Sequence, residues 1–137
     1  MAKFRGWYRG EKRCEVEHSD SGSRLMTVAP KDNNGDGSTF SPTDLCTVSL
    51  VTCMMTVMGI VADRNGLELS GSWYSFEKTM ASDLPRRIAV ISAEIHLPGF
   101  LLPEQRQLLE RAALNCPVYH SLSTELRKEV VFVYDVV

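Results

Sequence analysis

The chain has 137 residues, a formal net charge of −2 and 44% hydrophobic residues. This length fits one domain, so we predict a single domain over residues 1–137. The weak negative charge gives no electrostatic reason to expect a nucleic-acid or membrane partner. The first 13 residues contain no apolar signal region, so we expect a cytoplasmic protein. In that compartment the four cysteines are packing residues, metal ligands or redox-active thiols, not a disulfide framework.

Strand patterns dominate the first 29 residues of the chain. Aromatic residues favour a first strand before Gly10, and alternation of polar and less polar residues favours a second strand at 13–18. A turn cluster then leads to a return strand over 24–29. Cys14, in the second strand, is expected to be a packing residue. Residues 30–40 have the composition of a solvated loop; their aspartates are typical of a calcium loop, but the glutamate that such a loop requires is missing.

The stretch from Ser41 to Gly66 predicts a long apolar helix. Ser41 and Asp44 form a pair that resembles a capping box, and Gly66 suits the left-handed residue after a helix. The uncharged run Leu45–Ala62 just reaches the lower length limit of a membrane span. Serine and threonine residues dilute this run, and the rest of the chain has an α+β pattern. We therefore predict a helix buried on nearly every face and wrapped by sheet, with help from a second subunit.

The second half of the chain combines strands with one more helix. The segment 86–97 is the clearest strand, because Ala89, Ile91, Ala93, Ile95 and Leu97 share one face while His96 lies on the other. Residues 102–115 predict a second helix, whose apolar stripe faces the core and ends at Cys116. A strong strand pattern over 130–137 follows. The predicted fold class is α+β, with a long buried helix and a second helix packed on an antiparallel sheet. His96 suggests no site.

Three segments together carry a family resemblance: SPTDL opens the long helix, VSLVTCMM places Cys53 within it, and LPEQRQLLERAALNCPVYHSL contains Cys116. With these segments the chain resembles the OsmC/Ohr family (osmotically inducible protein C and organic hydroperoxide resistance protein) over nearly its whole length. The resemblance implies an OsmC-like fold, an intertwined homodimer and thiol-dependent peroxidase activity on organic hydroperoxides. It places Cys53 at the peroxidatic position and Cys116 at the resolving position, and it implies no cofactor.

One position departs from the family pattern. The peroxidase branches of the family carry a glutamate ten residues before the reactive cysteine, and this glutamate pairs with an arginine. Here that position is Thr43, and the nearby carboxylate is Asp44. Arg24 is the candidate for the matching arginine. Loss of the glutamate favours the alternative function, a non-enzymatic binding module of the same fold for a small apolar ligand.

Peroxide reduction needs a thiolate, which attacks the O–O bond and becomes a sulfenic acid. A second thiol then closes a disulfide, and an external dithiol reduces it by exchange. Because Cys53 lies in the middle of a helix, the helix dipole cannot stabilise its thiolate, so a cation or hydrogen-bond donor must do so. The candidates are Arg24, Arg86, Arg87 and His120.

Plainer interpretations exist for the same residues. A cysteine in an apolar helix is most often a packing residue, and only pairing with Cys116 in the family pattern favours a redox role for Cys53. Cys46, seven residues earlier, is expected to be a packing residue. His120 is more often a surface turn residue than a base. These four residues lack the closely spaced cysteine pairs of structural zinc sites, so no metal is expected.

Overall fold

The computed structural model describes all 137 residues and is an α+β fold with two three-stranded sheets. The chain divides into two compact units, residues 1–46 and 47–137. The prediction of a single domain stays a prediction. In chain order the elements are β1 Phe4–Gly10, β2 Arg13–His18, β3 Arg24–Val28, α1 Pro42–Arg64, β4 Trp73–Met80, β5 Ile88–Pro98, α2 Pro103–Ala113, α3 Pro117–Ser121 and β6 Arg127–Val136.

The first unit contains an antiparallel sheet in the order β1-β2-β3, as the alternation of its residues predicts. Cys14 pairs with Tyr8 on β1 and with Thr27 on β3. The prediction that Cys14 is a packing residue is wrong, because its side chain is exposed. Tyr8, on the same face, is 69% exposed, so this face of the sheet is open to solvent in a single copy of the chain.

The loop over residues 30–40 is mostly exposed, as predicted, and it is fastened to β2. One nitrogen of the Arg13 guanidinium donates hydrogen bonds to Asp36 (2.7 Å) and to the Ser38 hydroxyl (2.9 Å). A Cβ atom at Gly35 would lie 1.7 Å from the carbonyl oxygen of Ala29. The loop can therefore close against the end of β3 only because residue 35 has no side chain.

Both predicted ends of α1 are confirmed. The Ser41 hydroxyl accepts from the Asp44 N–H (3.1 Å), and the Asp44 carboxylate accepts from the Ser41 N–H (2.9 Å), so the pair forms a reciprocal capping box. At the other end Gly66 has a φ of +65°, and the Leu67 N–H donates to the Ala62 carbonyl (2.9 Å). This left-handed residue ends the helix.

Burial along α1 is one-sided in a single copy of the chain. By length and composition alone the helix could cross a membrane, a property that it shares with core helices of soluble proteins. Ile60 is 47% exposed and Thr56 is also exposed. A single copy of the chain therefore does not give α1 the burial on nearly every face that the sequence predicts. The buried residues of α1 are Thr47, Leu50, Val51, Met54, Met58 and Ala62.

The second unit contains a mixed sheet in the order β4-β5-β6. β4 and β5 pair antiparallel, as expected, but β5 and β6 pair parallel. Parallel neighbours need a crossover connection, and the chain supplies one with α2 and α3 between β5 and β6. The predicted antiparallel sheet is therefore correct for its first strand pair only.

The two faces of the second sheet have different partners. We call the face that carries Ile91 and Ile95 the inner face, and the face that carries Glu94 and His96 the outer face. The inner face joins α1 and α2 in one apolar core, as the alternation in β5 predicts. The fully buried members of that core are Leu50, Met54, Met58, Ala62, Ile91, Ile95, Leu97, Leu101, Leu109, Ala113 and Cys116.

Candidate active site

Two cysteine thiols from different parts of the second unit come together at the apolar core. Cys53 lies on α1 and is half-buried, whereas Cys116 lies between α2 and α3 and is fully buried. The thiols are near enough to interact through a hydrogen bond. The sequence therefore placed both side chains on core-facing positions correctly, and the structure brings them together as free thiols.

Local sequence explains how Cys116 reaches this position. Leu109, Ala113 and Cys116 follow one another at helical spacing and form the buried stripe of α2 and its end. Pro117 then occupies the first position of α3, a short helix that the sequence analysis missed. Cys116 caps this helix, since its sulfur accepts a hydrogen bond from the Tyr119 N–H (3.3 Å).

The two thiols differ in their electrostatic surroundings. Burial raises the pKa of the Cys116 thiol, and the adjacent Cys53 raises it further, while the Tyr119 N–H acts in the opposite direction. Cys116 is therefore a neutral thiol at physiological pH. A dissolved reagent reaches the half-buried Cys53 first, because the side chain of Cys116 has no exposed surface.

The structure places two of the predicted supporting residues in structural roles. The Arg24 guanidinium pairs with Glu15 and with Glu17 (2.9 Å) on β2, and it lies over the Trp7 ring at 5.5 Å from the ring centroid. Asp44 caps the N-terminus of α1. It lies nine residues before Cys53 on the same helix, about 13 Å along the axis.

The other cationic candidates lie at the surface. His120 is exposed, as its plainer interpretation expects, and its ring contacts the Asn115 side chain (3.3 Å). Arg86 and Arg87 are exposed in the turn before β5, and Arg87 pairs with Asp83 (3.1 Å). No group of three or more His, Cys, Asp or Glu side chains is arranged to hold a metal ion.

Two further positions from the sequence analysis lie near the start of α1. Thr43, at the position of the family glutamate, has its hydroxyl 3.1 Å from the Ser41 hydroxyl. Cys46 is half-buried, two turns before Cys53. Thr43 thus sits in the capping region of the helix, where it supplies a hydroxyl in place of a carboxylate.

Sequence reasoning missed a polar cluster on the outer face of the second sheet. The His96 ring is only 6% exposed and lies under the Trp73 indole, with ring centroids 3.9 Å apart and planes 5° from parallel. Its nitrogens contact Asp135 and Glu94. The available signal was that three of the four residues, Glu94, His96 and Asp135, are polar residues within strand patterns. The pairing register that brings them together with Trp73 was unknown.

Comparisons with known proteins show the same fold. The model of the OsmC-like protein family matches residues 35–130. The solved structure of a candidate osmotic stress induced and detoxification response protein from Psychrobacter arcticus is 33% identical, with a TM-score of 0.91 over 96% of each chain.

More distant proteins share the fold at lower identity. OhrB of Bacillus subtilis, an organic hydroperoxide resistance protein, is 17% identical, with a TM-score of 0.70 over 96% of this chain and 97% of its own. An uncharacterized protein from Acinetobacter baylyi is 22% identical over 118 residues, which are 85% of this chain and 82% of that protein. The predicted family resemblance and fold class are confirmed.

Proposed function

The chain belongs to the OsmC-like protein family, and we propose that it is a cysteine-based peroxidase that reduces organic hydroperoxides. The observation that carries the proposal is the contact between a half-buried thiol, Cys53, and a buried thiol, Cys116. The family includes proteins named for organic hydroperoxide resistance, which supports the same reaction class.

In the first step the Cys53 thiolate attacks one oxygen of the hydroperoxide. The O–O bond breaks, the alkoxide takes up a proton and leaves as an alcohol, and Cys53 becomes a sulfenic acid. Cys116 stays protonated because it is buried, so it can donate a hydrogen bond to the neighbouring thiolate before the reaction. A hydrogen-bond donor is one of the two kinds of group that the mid-helix position of Cys53 requires, so Cys116 joins the candidates for this role.

In the second step Cys116 attacks the sulfenic sulfur. A Cys53–Cys116 disulfide forms, water leaves, and further oxidation of Cys53 is prevented. An external dithiol then reduces the disulfide through a mixed disulfide, and its own two thiols end as a disulfide. The interaction of the two thiols in the reduced protein supports this sequence, because it places both sulfurs at one site.

The walls around Cys53 favour an organic substrate. Cys53 and Val57 pack against an apolar core that includes the fully buried Met54 and Leu109. An apolar lining of this kind binds an alkyl or aryl hydroperoxide better than a strongly hydrated one.

Intact-mass analysis after one equivalent of cumene hydroperoxide, without reductant, tests the proposal. We expect a loss of two hydrogens, and peptide mapping should locate the new bond between Cys53 and Cys116. Cys46→Ser and Cys14→Ser are matched controls that should show the same loss. An unmodified Cys53 in protein that remains folded would exclude the peroxidase.

The alternative function is a non-enzymatic binding module for a small apolar ligand. It is favoured by Thr43, which stands where peroxidase branches carry a glutamate, and by Arg24, whose guanidinium is engaged by two carboxylates. Native mass spectrometry decides between the two functions. A co-purified apolar molecule together with thiols that do not react with hydroperoxide supports the binding module.

We also propose that the protein is a homodimer. Ile60 on α1 is 47% exposed, and Phe4 and Tyr8 on β1 are 64% and 69% exposed, which leaves large apolar side chains uncovered in one copy. Analytical ultracentrifugation should give twice the chain mass for the native protein. Ile60→Lys should shift the equilibrium towards the monomer, whereas Glu68→Lys, an exposed control beyond the helix, should not.

A further inference from the structure

We propose that His96 is an imidazolium ion at neutral pH and acts as a pH-sensitive clamp that fastens the end of β6 to β5 and β4. The inference does not depend on peroxide chemistry. It rests on the geometry of the cluster formed by Trp73, Glu94, His96 and Asp135, which we call the outer cluster.

Hydrogen-bond geometry requires the charged ring. The His96 Nδ1 lies 2.8 Å and 3.0 Å from the two Asp135 carboxylate oxygens, and Nε2 lies 2.6 Å from a Glu94 oxygen. Ionised carboxylates only accept hydrogen bonds, and the Glu94 and Asp135 side chains are each 52% exposed, so water solvates their charged forms. Both ring nitrogens must therefore donate, which only the imidazolium can do.

The outer cluster lies where the backbone pairing of β5 and β6 is irregular. Their register shifts between His96 and Pro98, and Pro98 has no N–H to donate to a neighbouring strand. Beyond this point the Gly99 N–H donates to the Val136 carbonyl (2.9 Å). Asp135 reaches back across the irregular step to His96, so a side-chain bond reinforces β6 where the backbone ladder is interrupted.

Each strand of the sheet contributes to the surroundings of the ring. β4 supplies the uncharged Trp73 indole, β5 supplies Glu94, and β6 supplies Asp135. Glu77 and Glu129 lie farther along the outer face, on β4 and β6, and Glu129 is paired with the neighbouring Arg127 (2.8 Å).

The carboxylates outweigh burial in their effect on His96. The hydrogen bond to Asp135 is the largest influence, and with Glu94 it raises the pKa of His96 despite the desolvation under Trp73. A raised histidine pKa contributes stability that is complete below the unfolded value near 6.5 and is lost as the pH rises through the folded value. The clamp therefore opens as the pH rises through the folded value.

Opening has a defined structural consequence. A neutral imidazole has one N–H, so one of the two carboxylates loses its donor. In the tautomer that keeps its proton on Nε2, the Asp135 bond is lost and the last residues of β6 are freed. In either tautomer the Trp73 ring loses a stacked cation, which weakens the contact of β4 with the ring.

Side-chain ¹⁵N NMR of the full-length protein tests the charge state. At about pH 7 we expect both His96 nitrogens to show the signals of protonated imidazolium, while His18 on β2 serves as an internal reference in the first sheet. Signals of a neutral tautomer for His96 at that pH would overturn the proposal.

Fluorescence of Trp73 tests the clamp as a switch. In a Trp7→Phe background Trp73 is the single tryptophan, and a stacked imidazolium quenches its emission. Emission should rise as the pH increases through the His96 transition, and His96→Gln should abolish the transition while His18→Gln leaves it unchanged.

Variants that remove the charge of one carboxylate test the proposal even where His96→Gln does not fold. Asp135→Asn should lower the midpoint of the transition more than Glu94→Gln does, because the Asp135 bond has the greater influence on the ring. A midpoint that neither variant moves would overturn the proposal.

Discussion

The two faces of the β4-β5-β6 sheet are held by different forces. The inner face contributes buried side chains such as Ile91 and Ile95 to a core that ends at the thiol pair. The outer face is held by the outer cluster, in which one histidine joins two half-exposed carboxylates. Apolar burial does not change with pH, whereas a histidine ion pair does. One sheet thus combines a permanent core with a titratable clamp.

The largest effect is expected on the activity that depends on Cys53, which packs against the core of the inner face. Cys53→Ser removes the nucleophile, so kcat/KM for cumene hydroperoxide should fall by at least about a thousandfold. Cys46→Ser, on the same helix, is the matched control and should retain the native rate. Steady-state assays with a dithiol reductant measure both. Full activity of Cys53→Ser would show that the thiol pair is a packing feature of the core.

Leu109→Ala tests the packing of the same core. The Leu109 side chain is fully buried on α2, so its truncation should reduce the free energy of unfolding by about 2–5 kcal/mol. Val131→Ala is the control on the outer face, where the side chain is 56% exposed, and should change stability by less than about 0.5 kcal/mol. Urea denaturation measures both values, and equal costs would contradict the division between the faces.

The reactivity of the Cys116 thiol can also be measured. In a Cys53→Ser protein, iodoacetamide should alkylate Cys116 at least about tenfold more slowly than the exposed Cys14, because burial limits access and raises the pKa of the Cys116 thiol. In urea the two rates should become similar. Quantitative peptide mapping follows both sites, and fast alkylation of Cys116 in the folded protein would show that the site is open.

The smallest effect is expected on the outer face. The native protein should lose stability relative to His96→Gln as the pH rises above about 6.5 and passes through the raised pKa of His96. Below that pH the stability difference between the two proteins should stay constant. Urea denaturation at a series of pH values measures it. Parallel pH profiles for the two proteins would mean that the ring does not titrate in the folded state.

The inner face could be predicted from the sequence because its signals are local. Two of these signals are the alternation along β5 and the apolar stripe of α2, which includes Leu109 and Ala113. Each depends on residues close together in the chain. The pairing of Cys53 with Cys116 was predicted only from the family motifs, because the spacing of the two cysteines does not define it.

The outer cluster could not be predicted because it depends on long-range pairing. Asp135 lies 39 residues from His96, and the two meet only through a parallel pairing that follows the α2–α3 crossover. Alternation placed His96 on the strand face opposite Ile91 and Ile95 and suggested no site there. Stacking by Trp73, which buries the ring, depends on the β4 register as well.

The close approach of Gly35 to Ala29 limits how the loop over residues 30–40 can vary. A library randomised at this loop and selected for folded protein should accept many residues at the exposed Thr39 but retain glycine at position 35. Even alanine would place a methyl carbon inside the contact distance of the Ala29 backbone. Homologues with a loop of the same length should therefore keep this glycine while the residues around it diverge.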